Sequence, residues 1–375
     1  MGFLNLLKKK PNIIMIIMDG TRKDATDRLP FYRELKKEAV FFSSMITYAP
    51  YTVASLHATL SGMYGNQNGV NGYYKSYSFD KENCFTLAQY LKRVGYHTEM
   101  DSLNENVAPS QGFDKFRVHD EFKDNLLLRH LEIIQQIKKF ENFFLVLHYT
   151  KIHKELVTNV AKKYTDFDKE YFNNKENNFS EYLKWAESGT EYLNGIINKL
   201  KELELYDNSI IFIFSDHGSS VGDRIGEKMY GSFLYDYTIK CFLYVIGKKF
   251  PKNAAINNLV RSIDMMPTIL EILGIKEKTN YKELQGKSFM SVIANPKEER
   301  IAYSETGGLG GPTPSPEIHN SASIRTNAWK LIYNKANNKK ELYNLEKDQL
   351  EENNLAGKNL AVEKELWEEV QKYGN

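Results

Sequence analysis

Two carboxylates and an imidazole in this 375-residue chain stand where apolar runs stop, and a set of that kind suits a divalent cation. Residues 13–18 form a continuous isoleucine-rich run that ends at Asp19-Gly20. Residues 210–214 end at Ser215-Asp216-His217-Gly218, and residues 143–147 end at His148-Tyr149. Strand ends also carry Asp as the cap of a following helix, so the pattern alone leaves ligation and capping open. Residues 49–62 read as a loop entering a helix near Thr52, which sets a hydroxyl at a helix N-terminus, where free N–H groups and the helix dipole favour an anion. A cation beside it would supply the charge that makes the hydroxyl a nucleophile.

Apolar runs without alternation are strands buried on both faces of a parallel sheet. Helical patterns lie between them at residues 29–37, 86–94, 126–140 and 182–203. The alternation predicts an α/β fold, a doubly wound and mostly parallel sheet flanked by helices. Ligands in such sheets bind beyond the carboxyl ends of the strands, where Asp19, Asp216 and His217 fall. Residues 264–273, before Gly274, predict a helix begun by proline and stopped by glycine. From residue 301 the texture changes: a Gly/Pro-rich loop at 307–316, short strand-like runs at 323–325, 329–333 and 341–343, and a helix near 362–373. The expected division is a catalytic α/β domain over 1–300 and a small β-containing subdomain over 301–375. Polarity marks residues 173–178 as an exposed loop, and segments 154–178 and 307–320 are the expected specificity loops.

Hydrophobic residues at 42% and charged residues at 26% give the balance of a soluble globular protein. Fifty Lys and Arg against 48 Asp and Glu leave no global field to recruit nucleic acid. Cys84 and Cys241 are too few for a disulfide framework or a thiolate metal site and fit a reducing compartment. The N-terminus places a short apolar stretch before Lys8, Lys9 and Lys10, the reverse of a signal peptide, so the expectation is a cytoplasmic protein. No run reaches transmembrane length, although Phe3, Leu4, Leu6 and Leu7 beside those lysines allow a weak membrane-surface contact.

Six segments in order resemble the sulfatase family of the alkaline phosphatase superfamily. They are PNIIMIIMDGTRKDA (11–25), TVASLHATLSG (52–62), LHYTKIH (147–153), DNSIIFIFSDHG (207–218), SIDMMPTILEILGI (262–275), and SIRTNAWKLIYN with ELYNLEKDQLEENNLA (323–334 and 341–356). Departures from the pattern bear on the chemistry. The family signature C-x-P-S-R-A-S-L-L-T-G begins with a residue oxidised to formylglycine, but here the first position is Thr52 and the fifth is Leu56. Threonine carries a methyl on Cβ and cannot become that aldehyde. The family's second aspartate is Gly20, and its Gly-Lys-x-His element falls on Ser102, Leu103, Asn104 and Glu105.

Asp19, Thr52, Asp216 and His217 instead resemble the single-cation site of threonine-nucleophile relatives, the phosphoethanolamine transferases and lipoteichoic acid synthases. The resemblance implies Zn²⁺ or Mn²⁺ rather than Ca²⁺, because one ligand is nitrogen. It also implies a phospho-Thr52 intermediate released by water or an acceptor alcohol, and a substrate that is a small-molecule, glycan or lipid-head-group ester. His153 matches the family's proton-donating histidine and Lys228 its anion-holding lysine; Arg22 and Lys151 are candidate phosphate contacts. Ser55 and His57 read as supporting residues, His148 as a core histidine, and His319 as a candidate for a second metal. A sulfate ester hydrolase working without formylglycine, or a non-catalytic metal-binding relative, are the alternatives.

Overall fold

The computed structural model describes residues 10–307 and 321–374. Its large sheet contains β1 (Asn12–Met18), β2 (Val40–Ile46), β3 (His97–Ser102), β4 (Lys115–Val118), β5 (Phe143–Tyr149), β6 (Ser209–Phe214), β7 (Lys240–Ile246), β8 (Ala254–Ile256) and β9 (Val260–Arg261). The order is β4-β3-β5-β1-β6-β7-β2-β8, with β9 also on β2. β1 lies at the centre, parallel to both β5 and β6. Its register pairs Ile17 with His148 on one side and Phe214 on the other, so all three strands end at one edge. Among the described strands of this sheet, only β7 runs antiparallel to its neighbours, β6 and β2.

The continuous isoleucine run works because the sheet is covered on both faces. Ile14, Ile16 and Met18 point into one core, Ile13, Met15 and Ile17 into the other. Each is at most 1% exposed and contributes about 1.5–3 kcal/mol by burial. This two-sided packing fixes the register of β1 and hence the place of Asp19.

The smaller antiparallel sheet has the order β10-β11-β12-β13, from Ala302–Thr306, Ser321–Arg325, Trp329–Asn334 and Lys339–Asn344. Tyr303, Ile324, Leu331 and Leu342 share a core with the helix Ala361–Gly374 and one face of the large sheet. Buried Lys330 and Arg325 both pair with Asp236, just before β7.

Three expectations are corrected. Residues 173–178 are not a loop: the helices Lys169–Asn173 and Lys175–Glu202 pass through them. The polar face there is used, since Asn178 Nδ2 donates to the carbonyls of Tyr171 and Val221 at 2.8 and 3.0 Å. Segment 154–178 likewise opens in the helix Lys151–Leu156 and a π-helical turn, Val157–Ala161, rather than as irregular chain. Pro267 stands in the third position of the helix Met265–Leu273, still within the first turn, whose N–H groups need no intrahelical acceptor. The 307–316 loop, His319 and the N-terminal apolar residues lie outside the described residues apart from Gly307. No helix among the described residues is long and apolar enough to cross a membrane.

Candidate metal and nucleophile site

Asp19 extends β1 by one residue, its N–H donating to the Tyr149 carbonyl at 3.0 Å. Gly20 then turns away with φ +63°, a left-handed conformation that glycine adopts without penalty. A Cβ there would sit 3.0 Å from Ser219 Oγ and 3.8 Å from the His217 ring. The turn therefore rejects the second aspartate of the family pattern. Gly20 N–H donates to Asp216 Oδ1 at 3.2 Å, while its carbonyl accepts from Tyr182 and Ser219 hydroxyls at 2.7 and 2.8 Å.

Thr52 opens the helix Thr52–Ser61, which Gly62 closes in the left-handed conformation, φ +67°. Tyr51 is its extended N-cap, with no side-chain hydrogen bond to the first-turn amides. Among the described residues those amides have no side-chain cap, the arrangement that suits an anion. Thr52 Oγ1 lies 3.4 Å from Asp19 Oδ2 and 3.3 Å from His217 Nε2. Ser55, one turn on, donates to the Asp216 carbonyl at 2.7 Å and meets Thr47 Oγ1 at 2.7 Å. It ties the helix of Thr52 to the strand end that carries Asp216. His57 bonds the Val53 carbonyl at 2.8 Å through Nδ1, and burial pushes its pKa down to about 4 despite that bond.

The donor set passes a direct test for a cation. His217 Nδ1–H donates to the Gly218 carbonyl at 2.8 Å, which leaves the Nε2 lone pair facing Asp19 Oδ1 at 3.8 Å and Asp216 Oδ2 at 3.6 Å. Both of those carboxylate oxygens are buried without a hydrogen-bond partner among the described residues. Buried unpaired acceptors are costly unless a cation joins them. The spacings of 3.3–3.8 Å approach the edge of about 3.4 Å for a tetrahedron around an ion at ~2.0–2.1 Å. Asp19, Asp216 and His217 thus fit a divalent cation.

His148 holds the other oxygen of Asp19. Its Nε2 lies 2.9 Å from Asp19 Oδ2, and its Nδ1 is 2.9 Å from Ser102 Oγ. Burial acts to raise the Asp19 pKa, but the hydrogen bond and charge of His148, with the charges of His153 and His217, hold the carboxyl well below its usual range. Asp216 shifts the other way: burial pushes it up, with His217 opposing and Asp19 reinforcing.

The secondary candidates divide. Burial acts to lower the pKa of His153, third residue of the helix Lys151–Leu156, but the hydrogen bond from its Nδ1 to Glu121 and the charges of Asp19, Glu121 and Asp216 raise it. Tyr230 covers His217 with ring centroids 4.7 Å apart and His153 at 6.3 Å. Arg22 is buried and its guanidinium is occupied by Asp24, Asp223 and the Ser219 carbonyl, at 2.6–2.9 Å. Lys228 Nζ donates to the carbonyls of Tyr164 and Ala161 at 2.6 and 3.3 Å. Lys151 pairs with Glu155 at 2.5 Å. These three cations are engaged within the fold, and Asp19, Thr52, Asp216 and His217 are the residues brought together.

Sequence reasoning missed Glu121 and a second buried group, Asp101, His119 and His130. Asp101, next to last in β3, accepts from His119 Nδ1, His130 Nε2 and Arg129 at 2.8–3.1 Å. Both of its oxygens are satisfied, unlike those at the first site. No spacing along the chain announces this group.

The sulfatase family model matches residues 11–275, which include every residue of the first site. The chain belongs to the sulfatase family. The model of the N-sulphoglucosamine sulphohydrolase C-terminal region matches residues 229–375 of this sulfatase-family chain. Lipoteichoic acid synthase 1 of Bacillus subtilis is 26% identical over 242 residues, 62% of this chain and 35% of the synthase. The chain spans between 16% and 61% of the length of eight curated relatives. Among solved structures, a complex with D-glucosamine-2-N,6-O-disulfate superposes with TM-score 0.75 at 16% identity, covering 97% of both chains. Phosphonate monoester hydrolase of Agrobacterium radiobacter gives TM-score 0.73 at 14% identity, over 97% of this chain and 95% of that one. At these identities the superpositions establish the fold alone.

Proposed function

We propose that this protein is a divalent-metal-dependent hydrolase or phosphotransferase that cleaves phosphoesters through a phospho-Thr52 intermediate. The observation that carries the reading is the Thr52 hydroxyl, at a helix N-terminus and 3.3–3.4 Å from His217 Nε2 and Asp19 Oδ2. Asp19, Asp216 and His217 would hold the ion, and a nitrogen ligand with a glycine in place of a further carboxylate favours Zn²⁺ or Mn²⁺ over Ca²⁺. Such an ion supplies positive charge that lowers the pKa of the Thr52 hydroxyl and offsets charge on the phosphoryl oxygens.

The chain's own residues do the rest. Thr52 Oγ attacks phosphorus in line, with the first-turn amides of its helix facing the phosphoryl oxygens. His153 gives a proton to the departing oxygen. In the second half-reaction it takes a proton from water, for hydrolysis, or from an acceptor alcohol, for transfer. The substrate class is a small-molecule, glycan or lipid-head-group ester. A second reading, sulfate ester hydrolysis without formylglycine, is favoured by the match of residues 229–375 to a sulphohydrolase C-terminal region.

Turnover of p-nitrophenyl phosphate, its diester and phosphonate analogues, and p-nitrophenyl sulfate separates these readings, in protein loaded with Mn²⁺ or Zn²⁺. Phosphorus ester turnover that falls by at least about 10³-fold in Thr52→Ala supports the proposal. Turnover of the sulfate alone, or phosphorus turnover indifferent to Thr52, contradicts it.

A further inference from the structure

Glu121 is 7% exposed and lies between β4 and the helix Leu126–Ile137, far from any recognisable motif. Both of its carboxylate oxygens accept from His153 Nδ1, at 2.8 and 3.0 Å. His153 Nε2 has no hydrogen-bond partner among the described residues. The segment that carries Glu121 is braced from both sides. Two residues earlier, His119 Nδ1 donates to Asp101 Oδ2 at 2.9 Å and Nε2 reaches Thr150 Oγ1 at 3.3 Å. Thr150 is the residue that caps the helix of His153, so the Asp101 group anchors both members of the pair. The next residue, Asp120, is held through its N–H by Asp124 at 3.0 Å.

We propose that Glu121 is a positioning residue for ester cleavage: it fixes the His153 ring through Nδ1–H and leaves Nε2–H as the donor to the leaving oxygen. The inference rests on the Thr52 reading and adds to it the group that makes His153 competent. In the step, the Thr52 Oγ–P bond forms as the P–O bond to the leaving group breaks. The hydroxyl proton of Thr52 has already passed to solvent, and the Nε2 proton moves to the departing oxygen, leaving a neutral imidazole. Among the described residues, the charges of Glu121, Asp19 and Asp216 act on His153, and the ring of Tyr230 lies 6.3 Å from it. A cation held by Asp19, Asp216 and His217 would offset the negative charge of the two carboxylates, leaving Glu121 as the anion beside the His153 ring.

The test compares Glu121→Gln with the parent in Mn²⁺-loaded protein, on an alkyl phosphoester and on the p-nitrophenyl ester of the same phosphate. An alkoxide departs only when protonated, whereas p-nitrophenolate departs without help. Read in the first half-reaction, as the pre-steady-state release of the alcohol, Glu121→Gln should lower the alkyl ester rate by about 10²-fold and the p-nitrophenyl ester rate by no more than about 3-fold. The basic limb of the alkyl ester pH–rate profile should also move to lower pH. Equal losses on both esters, or no loss on the alkyl ester, would overturn the assignment. Thr52→Ala run alongside separates the two claims. Activity that survives it overturns the nucleophile and this inference together, whereas activity that it abolishes but Glu121→Gln scales equally on both esters overturns only the role of Glu121.

Discussion

Replacing His148 with alanine removes the group bonded to Asp19 Oδ2 at 2.9 Å, in a place where His148 and Asp19 are at most 1% exposed. Asp19 Oδ1 is already without a partner, so the variant leaves a buried carboxylate with almost no donors. Breaking a buried pair by removing one member costs about 3–5 kcal/mol. The unfolding entropy of 375 residues is about 0.8 kcal/mol/K at ~2.1 cal/mol/K per residue, so metal-free protein should lose about 4–6 °C in Tm. Because His148 also aims the carboxylate, Mn²⁺ affinity should weaken by about 10–100-fold. Differential scanning calorimetry and titration calorimetry read the two effects separately. His148→Gln, whose amide N–H reaches the place of Nε2, should recover most of both. A Tm change under about 1 °C with unchanged Mn²⁺ affinity would mean that the backbone of β1 alone sets Asp19, and would refute the reasoning.

Two pH predictions follow from buried carboxyls. Burial acts to raise the Asp101 pKa, but bonds from His119, His130 and Arg129 hold it far below the usual range. Its contribution is therefore present above the unfolded value of about 3.9 and lost as pH falls through the folded one. Asp101→Asn should be less stable than the parent at pH 7 by about 3–5 kcal/mol, with the gap narrowing below pH ~4 in urea melts. A constant gap would sink this. Glu227 behaves oppositely: burial pushes its carboxyl up to about 7, although the Tyr237 hydroxyl and the N–H groups of Phe233 and Ser232 pull it down. The fold prefers the protonated form, so this contribution is complete below about 4.5 and lost as pH rises through 7. Glu227→Gln should recover about 3 kcal/mol relative to the parent between pH 5 and pH 8. A pH-independent difference in denaturation midpoint would contradict it.

Asp19, Asp216 and His217 were legible because an apolar run buried on both faces has nowhere to place a polar residue except at its end. The place of Thr52 at a helix start was legible from the loop-to-helix pattern. What stayed hidden depends on contacts between distant segments. The antiparallel direction of β7 is fixed by pairing with β6 and β2, which nothing within residues 240–246 announces. Asn-rich residues 173–178 look like a loop because polarity cannot tell solvent exposure from hydrogen bonding to a neighbouring carbonyl, as Asn178 does with Val221. His148 reads as a core histidine from its neighbours and is one, yet its partner is the carboxylate Asp19, 129 residues away. For Arg22, Lys151 and Lys228, a sequence does not reveal which carboxylates and carbonyls engage them in the fold.

Acid quenching during turnover, followed by peptide mass spectrometry, tests the central claim most directly. Mn²⁺-loaded protein mixed with excess p-nitrophenyl phosphate should yield the Thr52-containing peptide bearing one phosphoryl group. The label should be absent in Thr52→Ala and at higher occupancy when His153→Ala slows release. A burst of p-nitrophenol with no phosphoryl group on Thr52, or with the group on another residue, would contradict the account.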